Sequence, residues 1–239
     1  MNTEQYVCKV CGYNMLGKCP GHCPFCGADR RQFLSAEAAT AQYEVVEEYI
    51  TETLSRVNTQ PAIGIEHAAY RLDTGQKVFL IDCPVVFHPN LRPVDVIAFT
   101  HPHFLGAANL YRQSFGAEIW IHSADAVNPL ARSYPFDRTF EHGFTEGGLE
   151  AWTIGGHTPG FTVYVHADTV FLCDLVFMNG AGMRFNPFGP DRSTRDAGAY
   201  LRELIEGRKF TRVCGWNYVA DYPEWRMQFE KLLETTGTV

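Results

Sequence analysis

No stretch of this chain is apolar for long enough to cross a bilayer, which takes about 20 residues, although 46% of its 239 residues are hydrophobic. No membrane-spanning helix is therefore expected, while the hydrophobic content suffices for the core of a full-sized domain with a small appendage. The opening Met1-Asn2-Thr3-Glu4-Gln5-Tyr6 lacks the basic-then-apolar succession of a secretory signal. Basic side chains are in the minority, 20 Lys and Arg against 27 Asp and Glu, giving a net charge of −7 and a pI near 5.7. Neither nucleic acid nor an anionic membrane is an expected partner on that balance. Internal repeats and low-complexity tracts are missing too. Cysteine is the exception to this list of scarcities. Two C-x-x-C pairs are crowded into the first 26 residues, and clustered thiols without an export signal predict a reducing, cytoplasmic compartment.

Those pairs are Cys8-Lys9-Val10-Cys11 and Cys23-Pro24-Phe25-Cys26. Four thiolates so spaced close a tetrahedral site around iron or zinc, and a segment this short needs such a staple in order to fold. Gly12 and Gly27, one after each pair, suit the turn that aims backbone amides at sulfur. The wording Cys-Lys-Val-Cys-Gly-Tyr and Cys-Pro-Phe-Cys-Gly-Ala resembles a rubredoxin, in the short form carried by rubrerythrins, from residue 6 to about residue 34. That resemblance implies iron on Cys8, Cys11, Cys23 and Cys26 and a one-electron role. A zinc ribbon without redox chemistry is the alternative. Cys19 and His22, between the pairs, are expected at the surface rather than as ligands.

Residues 1–35 are thus expected to form a small metal-binding domain. A capped, alanine-rich start at Ser35 and apolar residues Val46, Tyr49, Ile50, Leu54 and Val57 at helical spacing predict a linking helix over 36–58. From residue 59 to 239 the texture is short β-type runs alternating with helices. Strands are expected at Ile63–Leu72, Lys77–Cys83, Val94–Thr100, Ala117–His122, Leu149–Ile154, Thr162–His166, Thr169–Cys173 and Arg212–Cys214. Helices are expected at Asn109–Phe115, Asp196–Glu206 and Glu224–Glu234, so a layered α/β domain follows.

Functional residues in such folds gather at strand ends. Here that selects Thr100-His101-Pro102-His103, Gly155-Gly156-His157-Thr158-Pro159-Gly160 and Cys173-Asp174-Leu175-Val176-Phe177. Together these resemble the metallo-β-lactamase superfamily, which implies an αββα sandwich with metal at the sheet edge. They also imply His101, His103, His157 and Asp174 as ligands and as the catalytic set. The resemblance is incomplete in an informative way. Where the family has an Asp-His pair after His-x-His, this chain has Leu105-Gly106, and where it has a late Gly-His-Gly, this chain has Gly215-Trp216-Asn217. The second metal is therefore expected to be lost and the first kept.

One metal cannot share a bridging hydroxide with a second, which weakens hydrolase readings. Histidines and one carboxylate with open positions favour non-haem iron(II), and within the superfamily the persulfide dioxygenases use such a site. Flavodiiron proteins pair this fold with rubredoxin-type donors, but they have glutamate at the His103 position and need two irons. The expected function is an oxidoreductase acting on a small molecule, oxygen or a sulfur species at a mononuclear iron fed by the knuckle. The alternatives are a single-zinc hydrolase of an ester, thioester or lactam, and a non-catalytic redox-sensing or binding protein. A redox partner protein and a homo-oligomer are compatible with the rubredoxin resemblance.

Other residues are expected in supporting parts. Asp82 should orient a ligand histidine, and Cys83, Cys173 and Cys214 should end strands near the metal as small buried hydrophobes. His67, His88, His122, His142 and His166 are expected to be structural, with His67 and His122 the two nearest to strand ends. The Pro187–Arg192 loop should cap a pocket walled by Phe104, Phe177, Phe185 and Trp216.

Overall fold

The computed structural model describes residues 4–180 and 182–237. Residues 1–3, 181, 238 and 239 lie outside this description, and with them the first half of the opening Met1–Tyr6 segment. The amino-terminal module is a three-stranded antiparallel sheet in the order β2–β1–β3, with β1 Gln5–Cys8, β2 Asn14–Leu16 and β3 Phe33–Ser35. It does not hang free. Gln5 Nε2 donates to the Gly106 carbonyl at 3.0 Å, Asn14 Nδ2 to the Val85 carbonyl at 2.9 Å, and the Tyr13 hydroxyl to the Leu130 carbonyl at 3.2 Å. Val7 is buried in one cluster with Ile63, Val85 and Val86 of the larger body. A Cβ on Gly64 would lie 2.5 Å from the Cys11 Cα, so glycine there permits backbone-to-backbone contact.

Ser35 caps a helix as expected, its side chain accepting from the Ala38 amide, but α1 runs only over Ala36–Thr40. The predicted linking helix is not there. Its remainder is an antiparallel hairpin, β4 Glu44–Tyr49 paired with β5 Leu54–Gln60. The helical spacing of Val46, Tyr49, Ile50, Leu54 and Val57 was outweighed by β-branched content and by a second, period-two pattern. Ser55, Val57 and Thr59 alternate with less buried neighbours along β5, while Thr51 Oγ1 accepts from the amides of Thr53 and Leu54 and closes the turn. The hairpin therefore belongs to the main sheet and is not a connector.

That sheet has seven strands in the order β10–β9–β8–β7–β6–β5–β4. β6 is Ala69–Asp73, β7 Val78–Ile81, β8 Val96–Ala98, β9 Glu118–His122 and β10 Arg138–Phe140. Helix α2, Ala108–Phe115, links β8 to β9, and the short α3, Ser123–Ala126, follows β9. A six-stranded sheet faces it in the order β11–β12–β13–β14–β17–β18. Its strands are β11 Phe144–Glu146, β12 Leu149–Thr153, β13 Thr162–His166, β14 Thr169–Cys173, β17 Arg212–Gly215 and β18 Val219–Asp221. Between β14 and β17 lie a hairpin of β15 Val176–Asn179 and β16 Gly182–Phe185, and helix α4 Asp191–Ile205; α5 Tyr222–Thr235 ends the fold.

Alternation along each strand builds the layers. Phe79 and Ile81 of β7 point inward with Tyr70, Trp120, Tyr164 and Phe171 into one inter-sheet core. Leu80, with Ile97 and Ile119, points the other way, onto Ala108 and Tyr111 of α2. Val170 and Leu172 of β14 pack outward against Leu201 of α4 and Trp225, Phe229 and Leu233 of α5. The result is helix, sheet, sheet, helix. Most boundaries fall within two residues of expectation, but the first strand shrinks to β6 because residues 61–68 form a loop, and α4 starts five residues earlier.

Strand direction then decides where chemistry collects. β7 and β8 are parallel, as are β14 and β17, so the carboxyl ends of each pair open at one edge. β13 is antiparallel to β14, so the loop before β13 opens at that edge as well. Asp82, His101, His157, Asp174 and Trp216 follow or precede those ends.

Candidate metal centres

At the knuckle, Cys8 and Cys26 place their sulfurs 3.8 Å apart, and Cys11 and Cys23 place theirs 3.6 Å apart. Four ligands at about 2.3 Å from a tetrahedral ion sit roughly 3.8 Å from one another, so the four sulfurs fit a bound ion. Both turns behave as their glycines require, with Gly12 at φ 87° and Gly27 at φ 75°. Their amides donate to the Cys8 and Cys23 carbonyls, and the Tyr13 amide lies 3.5 Å from Cys11 Sγ. Burial pushes the Cys11 thiol up and the Cys23 thiol up to about 11. Cys26 is exposed. Its slight burial is outweighed by the Ala28 amide and the neighbouring sulfurs, which hold it below the usual thiol range.

The second centre is assembled from distant segments. His101 Nε2 lies 3.7 Å and His157 Nε2 3.8 Å from Asp174 Oδ2, and His157 Nε2 lies 3.0 Å from His103 Nδ1. Donors at about 2.1 Å from one ion are separated by roughly 3.0–3.4 Å, so a small contraction seats an ion. His101 Nε2 and Asp174 Oδ1 are buried without a hydrogen-bond partner among the described residues. Burial, followed by the neighbouring histidines, lowers His101 far below the usual imidazole range and His103 to about 4. Neutral imidazoles at His101 and His103, with His101 Nε2 facing the Asp174 carboxylate, are what a divalent cation requires. These residues fit a metal.

Supporting groups fix the rings. Thr100 donates its amide to Asp82 Oδ1 at 2.9 Å, and its hydroxyl reaches both Asp82 oxygens at 2.9 and 3.0 Å. The same hydroxyl lies 2.9 Å from His101 Nδ1, so Asp82 orients His101 through Thr100 rather than directly. Asp125, fully buried on α3, accepts from the Thr158 hydroxyl at 2.7 Å and the Gly160 amide at 3.1 Å, pinning the turn after His157. Nothing in the sequence singled out Asp125. Asp82 and Cys173 are non-glycine residues at positive φ, 58° and 46°, strain of about 1 kcal/mol or more each held at the site.

His67 departs from its expected structural part. Its Nδ1 faces the Ala68 carbonyl at 3.3 Å and Asp82 Oδ2 at 4.0 Å. Its buried Nε2 has no hydrogen-bond partner among the described residues, and the residue forms a donor cluster with Asp82, His101 and Cys173. Of the three strand-end cysteines only Cys173 reaches the site, whereas Cys83 and Cys214 belong to the hydrophobic cores. His122 is structural, capping α3 through Nδ1 and facing the Glu141 carbonyl through Nε2.

A cavity of about 320 Å³ opens over the histidines, walled mostly by aromatic side chains. Phe104, Phe177, Trp216 and the exposed Phe188 line it, the last from the loop expected to cap it. Phe185 does not. It packs into the core against Phe229. The unforeseen wall is Phe25, carried between two knuckle cysteines, with its ring 4.8 Å from Phe104 and 6.1 Å from His103. Gly106 explains why no side-chain ligand follows: at φ 51°, a Cβ there would lie 2.4 Å from the Pro84 carbonyl oxygen.

No known family model matches the chain. A curated relative, the hydroxyacylglutathione hydrolase of Shewanella pealeana, is 28% identical over 169 residues, which is 70% of this chain and 60% of that protein's length. Among solved structures, a metallo-β-lactamase from Pontibacter korlensis superposes with a TM-score of 0.62 at 19% identity, covering 82% of this chain and all of the other. FIM-1 from Pseudomonas aeruginosa, in its mono-zinc form, gives 0.63 at 16% identity over 81% of this chain and 95% of its own. TTHA1623 in a di-iron-bound form gives 0.55 at 21%, over 69% and 94%. At such identities what these structures share with the chain is a fold.

Proposed function

Because this chain has the metallo-β-lactamase fold, with a four-cysteine knuckle that fits a rubredoxin-like domain docked on it, we propose that it is an oxidoreductase of a small molecule. In this reading His101, His103, His157 and Asp174 hold one iron, and Cys8, Cys11, Cys23 and Cys26 hold another. Iron at the pocket supplies redox chemistry on oxygen or a sulfur species. Asp82 and Thr100 keep Nε2 of His101 turned to the ion. Asp125 holds the His157 turn. The aromatic walls exclude water and admit an apolar or weakly polar substrate.

The observation that carries this reading is the position of Phe25. A side chain from between two knuckle cysteines forms part of the pocket wall beside His103. That contact gives an electron donor a short path and has no evident use beside a hydrolytic zinc. The segment Phe104–Gly106 supports it as well. Where two-metal members of the fold continue their ligand motif, this chain uses Phe104 to meet Phe25 and Gly106 to accept from Gln5.

Anaerobic iron loading followed by metal analysis, a visible spectrum, and oxygen or persulfide consumption tests the proposal. Two irons, a red ferric tetrathiolate and turnover lost in His157→Ala are expected; turnover unaffected by that substitution would refute it. A second reading, a single-zinc hydrolase of a thioester or ester, draws on the hydroxyacylglutathione hydrolase likeness. Zinc at both sites with thioester cleavage would select it.

A further inference from the structure

Five of the twelve residues that line the cavity are Phe or Trp, in a chain where Phe, Trp and Tyr together make up 13%. They come from five separate segments: Phe25 from the knuckle, Phe104 from the loop after β8, Phe177 from β15, Phe188 from the loop after β16, and Trp216 from the turn after β17. Local composition cannot gather rings from such distant positions. Only the tertiary arrangement does.

Four of these rings are already paired. The centroids of Phe25 and Phe104 lie 4.8 Å apart with their planes at 58°, and those of Phe177 and Trp216 lie 4.9 Å apart at 34°. Both separations fall in the range of roughly 4.5–7 Å where aromatic rings attract beyond simple burial. Among the lining residues Ile65 is the sole aliphatic one, so a chain-like ligand would find few matching partners. The mouth is apolar as well. Phe188 is 76% exposed, the highest value for a large hydrophobic side chain among the described residues, and Ile65 is 40% exposed. Apolar surface left in water at the rim of a cavity gains when a ligand covers it. Volume then sets the size: ligand pockets span roughly 300–1,000 Å³, and about 320 Å³ suits one or two fused rings. His103, His157 and Asp174 line the same cavity, with the Phe25 ring 6.1 Å from that of His103.

We propose that the ligand of this pocket is a small planar aromatic molecule of one or two fused rings, whose aryl part contacts these side chains while its substituent reaches toward His103, His157 and Asp174. This rests on the reading of the pocket as the substrate site, and it narrows a small molecule to an aryl compound. The knuckle then has a part in recognition, because Phe25 supplies one of the rings that the ligand meets.

The test is calorimetric titration of the full chain with benzoate and with cyclohexanecarboxylate, the protein being loaded with zinc so that no redox reaction consumes the probe. Both probes are six-membered-ring carboxylates of the same charge, so a bound ion and the exposed Arg184, which also lines the cavity, treat them alike. The saturated ring is the more hydrophobic, so apolar burial alone favours cyclohexanecarboxylate. Benzoate should nevertheless bind about 10-fold more tightly, since each ring-to-ring contact adds about 2- to 10-fold beyond area burial. Trp216→Leu and Phe188→Leu should each remove much of that preference and leave cyclohexanecarboxylate binding within about 2-fold. Trp216→Phe should keep the preference. If Trp216→Leu does not fold, Phe188→Leu at its exposed position and the selectivity of the unmodified protein decide. Equal affinities for the two acids, no binding of either at millimolar concentration, or a preference for glutathione over benzoate overturns the ligand class. Those outcomes leave the proposed redox function to its own assays of iron and turnover. A hydrolytic zinc enzyme would overturn that function and leave an aryl preference standing.

Discussion

The two candidate metal sites of this chain are built on opposite plans. The knuckle draws all four sulfurs from one short segment, with Cys8 and Cys26 only 18 positions apart, and it holds them with two tight turns and three short strands. The pocket draws its donors from both sheets; His103 and His157 alone are 54 positions apart, and they meet only because the strand ends converge. In the first site a bound metal would itself organise the peptide, whereas in the second the fold brings the donors together from distant segments. The same contrast governs solvent. One knuckle ligand is open to water, while the pocket keeps His101 and His157 almost wholly buried.

The largest expected effect breaks the knuckle. Cys8→Ser or Cys23→Ser should remove one equivalent of metal and unfold residues 4–35, because structural sites of this kind bind with on the order of 10 kcal/mol that is also folding energy. Circular dichroism of the remaining sandwich should change little, since its cores do not include the sulfurs. Retention of two equivalents of metal in either variant would contradict the comparison. His157→Ala should act in reverse. It should empty the pocket, lowering metal affinity at least about 100-fold, and leave the knuckle's spectrum intact.

A smaller effect tests the support behind the pocket. Thr100→Val removes the hydroxyl that joins Asp82 to His101 Nδ1, leaving a buried carboxylate and a buried ring nitrogen without that bridge. Losing such an outer partner typically costs about 10- to 100-fold in metal affinity. Titration with zinc against a chelator reads it directly. An affinity unchanged by Thr100→Val would mean that the strand ends alone hold His101.

The fold was largely legible in the sequence because alternation and strand-end motifs are local signals, and β13 and β14 were found residue for residue. The failure at residues 44–60 was one of period. Five apolar residues at helical spacing also satisfied a hairpin once Thr51 supplied the turn and the β6 edge supplied a partner for β5. The proposed ligands carried motifs, and all of them are brought together. His67 and Asp125 carried none, and Phe25 and Thr100 lay inside motifs that assigned them no part. Their roles come from which strand end lies beside which, and that belongs to the tertiary arrangement. His67 is the clearest case, because its loop is held by contacts with distant segments, the Ala68 amide donating to the Trp216 carbonyl and Asn217 Nδ2 to the Glu66 carbonyl, and its ring lies 5.5 Å from that of His101.

Acidity separates the sites further. In the metal-free protein His103 accepts a proton only near pH 4, whereas in the unfolded chain an imidazole does so near pH 6.5. Between those values the unfolded state binds more protons, so stability rises with pH and is lost as pH falls from about 6.5 toward 4. Thermal midpoints of metal-free protein across that window should decline, and His103→Gln should flatten the decline. A knuckle-deleted variant with an identical slope would place this dependence in the pocket alone.

The smallest effect falls on Phe25, which belongs to both sites. Phe25→Ala leaves every proposed ligand in place, so metal content and the knuckle's spectrum should be unchanged, and a half-buried ring lost from a pocket wall should cost about 1–2 kcal/mol. Its ring nevertheless touches Phe104 and lies near His103, so the d–d bands of cobalt in the pocket should shift, and reoxidation of a reduced knuckle by the pocket's substrate should slow. Phe25→Leu, which restores bulk but not the aromatic face, should recover the cobalt spectrum more fully than the rate. A rate and spectrum both indifferent to Phe25 would show two independent metal sites that merely share a surface, and the knuckle's docking against the pocket would then be architecture rather than wiring.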